Sequence, residues 1–113
     1  MVILSQIKEI SPVEILYDFD GPKIFTVKDK NNNLLLLYQC YEDDTLRRFL
    51  MVPTNDDTIR LLKSNELAVY VALKQPWSWY LDIINDDVIF IRPVNINDVP
   101  VSYFPKSDVL LRR

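Results

Sequence analysis

From residue 13 onward, apolar and polar positions alternate in short runs separated by turn-forming residues, the period-two signature of strands. Residues 13–17 read as one strand, followed by a turn at Asp18, Phe19, Asp20 and Gly21. Residues 23–28 and 34–41 read as a hairpin about Asp29, Lys30 and the triplet Asn31, Asn32 and Asn33. Asparagine tolerates the left-handed backbone of a tight connection, so this turn is built without glycine. A fourth strand, residues 46–52, follows the acidic turn Glu42, Asp43 and Asp44. Arg47 and Arg48 are adjacent in it, so one of them faces the buried side unless the strand starts later. Residues 77–84 and 88–94 read as a closing hairpin about Asn85, Asp86 and Asp87.

Two stretches change period. Thr54 precedes Asp57 by three positions, a start resembling a capping box, and Ile59, Leu61 and Leu62 then supply a helical apolar stripe. The spacing of Leu67, Tyr70, Val71 and Lys74 predicts a second helix over residues 66–73, capped by Ser64 or Asn65 and stopped by Pro76. Residues 1–10 fit either state. Ile3, Leu4 and Ile7 have helical spacing, but the segment is short and rich in β-branched residues, and Ser11-Pro12 ends it. Residues 95–113, with Pro100 and Pro105, read as an irregular segment packed over the sheet.

The expected fold is therefore α+β: an antiparallel sheet of about five or six strands with a helix pair inserted before the final hairpin. At 113 residues the chain fits one domain, 1–113. Its expected core is Ile15, Ile24, Phe25, Val27, Leu35, Leu37, Leu50, Val52, Leu62, Val71, Leu81, Ile83, Ile89 and Ile91.

Composition narrows the chemistry. The chain has no histidine, one cysteine (Cys40) and one glycine (Gly21). The usual proton-transfer side chain near neutral pH is missing, and one glycine cannot build a glycine-rich phosphate cradle. Thirteen Lys and Arg against sixteen Asp and Glu leave a net charge of −3, which gives no general attraction to nucleic acid or to an anionic membrane. The leucine run at 34–37 is far shorter than a membrane span. Lys8 and Glu9 interrupt the apolar start, so no secretory leader is expected, and a single cysteine fits a reducing cytoplasm.

Several groups of residues invite a chemical role. Asp18-x-Asp20-Gly21 has the look of a calcium loop, but that alignment puts Leu16 at the first ligand position and Val27 at the twelfth, where a bidentate carboxylate belongs. The pairs Asp43-Asp44, Asp56-Asp57 and Asp86-Asp87 lie in expected turns or a first helical turn, where acids are favoured for local reasons. Cys40 lacks a histidine to activate it and sits inside a strand. The doublets Arg47-Arg48 and Arg112-Arg113 make a weak basic patch and fit surface ion pairs. One segment stands apart: Gln75-Pro76-Trp77-Ser78-Trp79-Tyr80 concentrates the side chains that anchor interfaces. In a strand, Trp77 and Trp79 share one face and Ser78 and Tyr80 the other.

The run Tyr17-Asp18-x-Asp20-Gly21-Pro22-x-Ile24-Phe25, the leucine strand at 34–38 and Leu50-x-Val52-Pro53 form a pattern with two later blocks. These are the helix pair ending near Ala72-Leu73-x-x-Pro76, and a tail from Asp98-Val99-Pro100 to Tyr103-x-Pro105. Together they resemble a bacterial small-domain family of unknown function, across roughly residues 10–111. The resemblance implies a strand-rich fold with a Tyr-Asp-Gly-Pro turn, a Val-Pro step into helices and a proline-containing tail. It carries no catalytic residues. The chain departs from that pattern where Phe19-Asp20 lengthens the turn and where Asn31-Asn32-Asn33 replaces a glycine-bearing hairpin.

These readings lead to the expectation of a non-catalytic bacterial or phage protein that binds another protein through Trp77, Trp79 or Tyr80. It would serve as a regulator, an immunity-type partner or a complex subunit, with no cofactor and no nucleic-acid or membrane partner. An exposed edge strand leaves edge-to-edge homodimerisation open. The alternative is a carboxylate-dependent domain, an enzyme or a small-ligand binder, in which Asp18, Asp20 and an acid such as Asp86 converge, with Mg²⁺ as a candidate ion.

Overall fold

The computed structural model describes residues 12–19 and 21–111, so the expectations for residues 1–10, for Asp20 and for the Arg112-Arg113 doublet lie outside the described residues. Six strands form one antiparallel sheet in chain order: β1 (Glu14–Asp18), β2 (Pro22–Lys28), β3 (Leu34–Glu42), β4 (Leu46–Pro53), β5 (Trp79–Ile84) and β6 (Val88–Pro93). Two helices, α1 (Asp56–Lys63) and α2 (Val69–Leu73), are inserted between β4 and β5. The tail adds two single 3-10 turns, Ile96–Asp98 and Val101–Tyr103. The expected α+β class, with a helix pair inserted before the final hairpin, is the one observed.

Turn chemistry follows the sequence closely. At the β2–β3 turn, one Asp29 carboxylate oxygen accepts the amides of Asn31 (2.8 Å) and Asn33 (2.9 Å), while Asn32 takes the left-handed backbone at φ 67°. Asn85 and Asp86 do the same at the β5–β6 turn, at φ 54° and 60°. Asp43 accepts the amides of Thr45 and Leu46 and so closes the β3–β4 turn.

The helix boundaries differ from expectation. Asn55, not Thr54, is the α1 N-cap, its Oδ1 accepting the Thr58 amide at 2.8 Å. Asn is the stronger cap and already stands one residue nearer the stripe. Asn65 does not open the second helix but closes the first. At φ 62° it sends its amide to Leu62 O (3.2 Å), and the Glu66 amide reaches Leu61 O (2.9 Å), a Schellman closure with asparagine in the glycine position. The second helix then starts only at Val69, without a side-chain cap. The last strand pair likewise begins at Trp79, two residues later than expected.

Both faces of the sheet are buried. On the helical face, Leu36, Leu50, Val52 and Tyr80 pack against Ile59, Leu62, Val69, Ala72 and Leu73, with Val99 and Leu111 of the tail completing the cluster. The tail is thus an irregular cover over the sheet, as its sequence implied. On the opposite face Phe25, Val27, Leu35, Leu37, Phe49, Met51, Leu81 and Ile91 form a second cluster, drawn among the described residues from strands alone. Phe25 and Phe49 meet edge-to-face at 5.4 Å within it.

Double burial explains where the expected core falls short. Leu36, Phe49 and Met51 are as buried as their neighbours, because the sheet has no wet side along its central strands. Ile15 and Val71, expected in the core, are exposed. A register shift around Leu16 turns that residue inward and leaves Ile15 on the edge. The late start of α2 buries Val69, Ala72 and Leu73, and so points Val71 outward. Ile83 and Ile89 are only half-buried, packed at the margin of the second cluster. Among the described residues, no helix is long and apolar enough to cross a membrane.

Candidate interaction surface

The expected recognition segment is divided by the sheet. Trp77 precedes β5 and is 70% exposed, the most exposed of the chain's described aromatic side chains. Trp79, on β5, is half-buried against the second cluster. The two tryptophans line a depression of about 310 Å³ together with Asp29, Leu34, Pro53 and Thr54. Thr54 Oγ1 is buried there without a hydrogen-bond partner among the described residues. Tyr80 lies on the helical face, 5% exposed, and does not join the tryptophans.

Around Tyr80 the sheet builds a cationic and aromatic stack that the sequence did not reveal. Register places Leu50, Tyr80 and Arg92 side by side across β4, β5 and β6, and Arg48, Asp82 and Phe90 in the next row. The Arg48 and Arg92 guanidinium carbons each sit 4.8 Å from the centre of the Tyr80 ring. Arg48 is the member of the Arg47-Arg48 doublet that faces inward. Its Nε donates to Asp82 Oδ1 at 2.8 Å and its Nη2 to Asp82 Oδ2 at 2.9 Å. Asp82 raises the Arg48 pKa further, so the guanidinium stays charged, and Tyr103 of the tail caps the stack at 6.0 Å from the Tyr80 ring. Burial pushes the Tyr80 hydroxyl above its ordinary value. Arg47 turns the other way, to Asp86 at 2.9 Å.

Cys40 lies beneath this stack. Burial pushes its thiol up to about 12, and its Sγ donates to Arg48 O at 3.4 Å. A thiol held protonated is a poor nucleophile.

Of the acidic constellation, Asp20 lies outside the described residues, and Asp18 and Asp86 are not drawn together. Asp18 ends β1 and Asp86 lies in the β5–β6 turn, at the same end of the strands but with the width of the sheet between them in strand order. No group of three or more Cys, Asp or Glu among the described residues could hold a metal ion. Asp18 instead accepts the Gly21 amide at 3.3 Å and borders a larger groove of about 950 Å³. That groove is walled by Leu16, Ile24, Tyr38 and Leu111, with Lys23 and Gln39 at its polar side. Burial raises the pKa of Tyr38 within it.

No protein-family model, curated protein or solved structure matches this chain.

Sequence reasoning missed Arg92 and Phe90, which rise from β6 on the helical face beyond the cover of the helices. Phe90 is 57% exposed. Alternation within residues 88–91 was legible, but not which alternate side chains the helices leave bare.

Proposed function

We propose that this chain is a small, non-catalytic protein-binding module of the cytoplasm, a regulator, immunity-type partner or complex subunit, with Trp77 as its anchor. One observation carries the reading: a tryptophan lies largely in solvent beside the half-buried Trp79, at the rim of an apolar depression. Exposed tryptophans at such rims supply large contact area with few rotors to freeze, which is why they recur as interface hot spots. The proline and leucine walls from Pro53 and Leu34 fit an apolar side chain of the partner.

The test is affinity capture from the native host with wild-type and Trp77→Ala protein. The same partner should be retained by the wild type, and the variant should lose about 2 kcal/mol of binding while its melting temperature is unchanged. Equal capture by a folded Trp77→Ala protein would remove the anchor.

A second reading rests on the larger groove. Its volume, its apolar walls and the nearby Lys23 and Asp18 fit a small-molecule site. A thermal-shift screen of metabolites and divalent ions addresses it, because a ligand bound only by the folded state raises the melting temperature. Lack of any shift at millimolar concentrations counts against this alternative.

A further inference from the structure

We propose that the outer edge of β6 is a self-pairing edge, and that two copies of this chain join β6 to β6 in antiparallel register with Ile89 on the two-fold axis. The two free edges of the sheet differ. β1 exposes Ile15 and Tyr17, with the exposed Val13 just before it, but its pairing is broken by two register shifts within five residues. Irregular edges of this kind resist strand addition. β6 keeps an unbroken register with β5 over all six residues, and among the described residues nothing pairs with its outer side.

The ladder shows which backbone groups are free. The Val94 amide donates to Ser78 O at 3.0 Å, one step beyond the last register pair, Trp79 with Pro93. Alternation along an antiparallel ladder then turns the amides and carbonyls of Arg92, Phe90 and Val88 towards β5. Those of Ile91 and Ile89 point outward. Over residues 88–91 the strand is Val-Ile-Phe-Ile, with none of the lysines or mid-strand prolines that usually blunt an edge.

The occupant is set by self-complementarity. With Ile89 opposite Ile89 of a second copy, the two residues exchange both backbone hydrogen bonds. On the helical face Phe90 then lies across from Val88 of the other copy, and Val88 across from its Phe90. These side chains are 57% and 47% exposed in the single chain. The same register brings Arg92 to the acidic turn, Asp86 and Asp87, of the other copy. Arg92 has no carboxylate partner among the described residues, and Asp87 is exposed. Shifting the axis to Phe90 would set Val88 against Arg92 and leave the acids without a cation. This surface is separate from the Trp77 depression, so either proposal can fail alone.

Sedimentation equilibrium of the full chain across a concentration series tests the pairing. The wild type should show a monomer–dimer equilibrium. Ile89→Pro, which removes an outward amide that no bond among the described residues uses, should raise the dimer dissociation constant roughly tenfold or more. Arg92→Asp, which gives up the contact with the Tyr80 ring, and Asp87→Arg, both at exposed positions and both checked for a cooperative melt, should each be monomeric alone, since like charges then meet twice across the axis. Mixed in equal amounts, they should form a one-to-one heterodimer. A wild type that remains monomeric throughout, a dimer indifferent to Ile89→Pro, or charge variants that fail to rescue one another on mixing would each overturn the proposal.

Discussion

Arg48 and Asp82 face each other on adjacent strands and share two parallel hydrogen bonds, at 2.8 and 2.9 Å, with both side chains largely withdrawn from water. A bidentate pair in that setting fixes register as well as charge, since a one-residue slip of β4 on β5 would leave both ions buried and unmatched. Removing one member strands the other, so Arg48→Ala or Asp82→Ala should each cost about 2–4 kcal/mol of stability. The double change Arg48→Ala with Asp82→Ala should cost less than the two single losses together. Urea denaturation of the three variants measures this, and simple additivity would show that the pair does not act as a unit.

The recognition segment should separate by burial. Tyr80 is enclosed by two guanidiniums and by Tyr103, so Tyr80→Ala should destabilise the fold by about 3 kcal/mol. Trp77→Ala should change stability by no more than about 0.5 kcal/mol, because most of that side chain is already in water. Thermal or chemical melts compare them directly, and a large loss from Trp77→Ala would mean that Trp77 is structural.

Asn55 is the sole side-chain cap of α1, and that helix carries Ile59 and Leu62 into the core. Asn55→Ala should lower stability by about 1 kcal/mol, whereas Thr54→Val should be neutral or stabilising, since the buried Thr54 hydroxyl has no partner among the described residues. The opposite ranking in denaturant midpoints would restore the cap to Thr54.

Cys40 gives a pH signature. Its thiol rises from 9.0 to about 12 through burial, so the folded chain holds the proton where the unfolded chain has released it. Its contribution is complete below pH 9 and is lost as pH climbs from 9 towards 12, at no more than about 1.4 kcal/mol per pH unit. Wild type should therefore lose stability faster than Cys40→Ala over that window, and should react slowly with thiol reagents at pH 7. Parallel curves for the two proteins, or rapid labelling of the native state, would contradict the burial of this group.

Gly21, at φ 107°, has open space where a side chain would stand, so Gly21→Ala should cost about 1–2 kcal/mol through backbone strain alone. Equilibrium unfolding would reveal a neutral effect if the turn relaxes.

Residue order alone determined the strands, the hairpins about residues 29–33 and 85–87, and the place of the helix pair. Period-two alternation, Asn and Asp at left-handed turns, and a valine-proline step are all local signals, readable within ten residues. It also marked the tail as an irregular cover, because prolines at 100 and 105 exclude a regular element. Helix ends were misjudged by a few residues because Asn55 and Asn65 compete with Thr54 and Ser64 for capping roles that only the folded backbone assigns.

Only the tertiary structure decided which faces are covered. Burial is a property of what packs opposite a residue, often dozens of positions away in sequence. Alternation could say that Trp79 and Tyr80 point apart, but not that one meets a strand cluster and the other two arginines. It could say that Arg47 and Arg48 diverge, but not that Asp82, thirty-four residues on, waits beside Arg48. The exposed Trp77 and the unblunted β6 edge belong to the same class, since long-range contacts alone determine what remains uncovered.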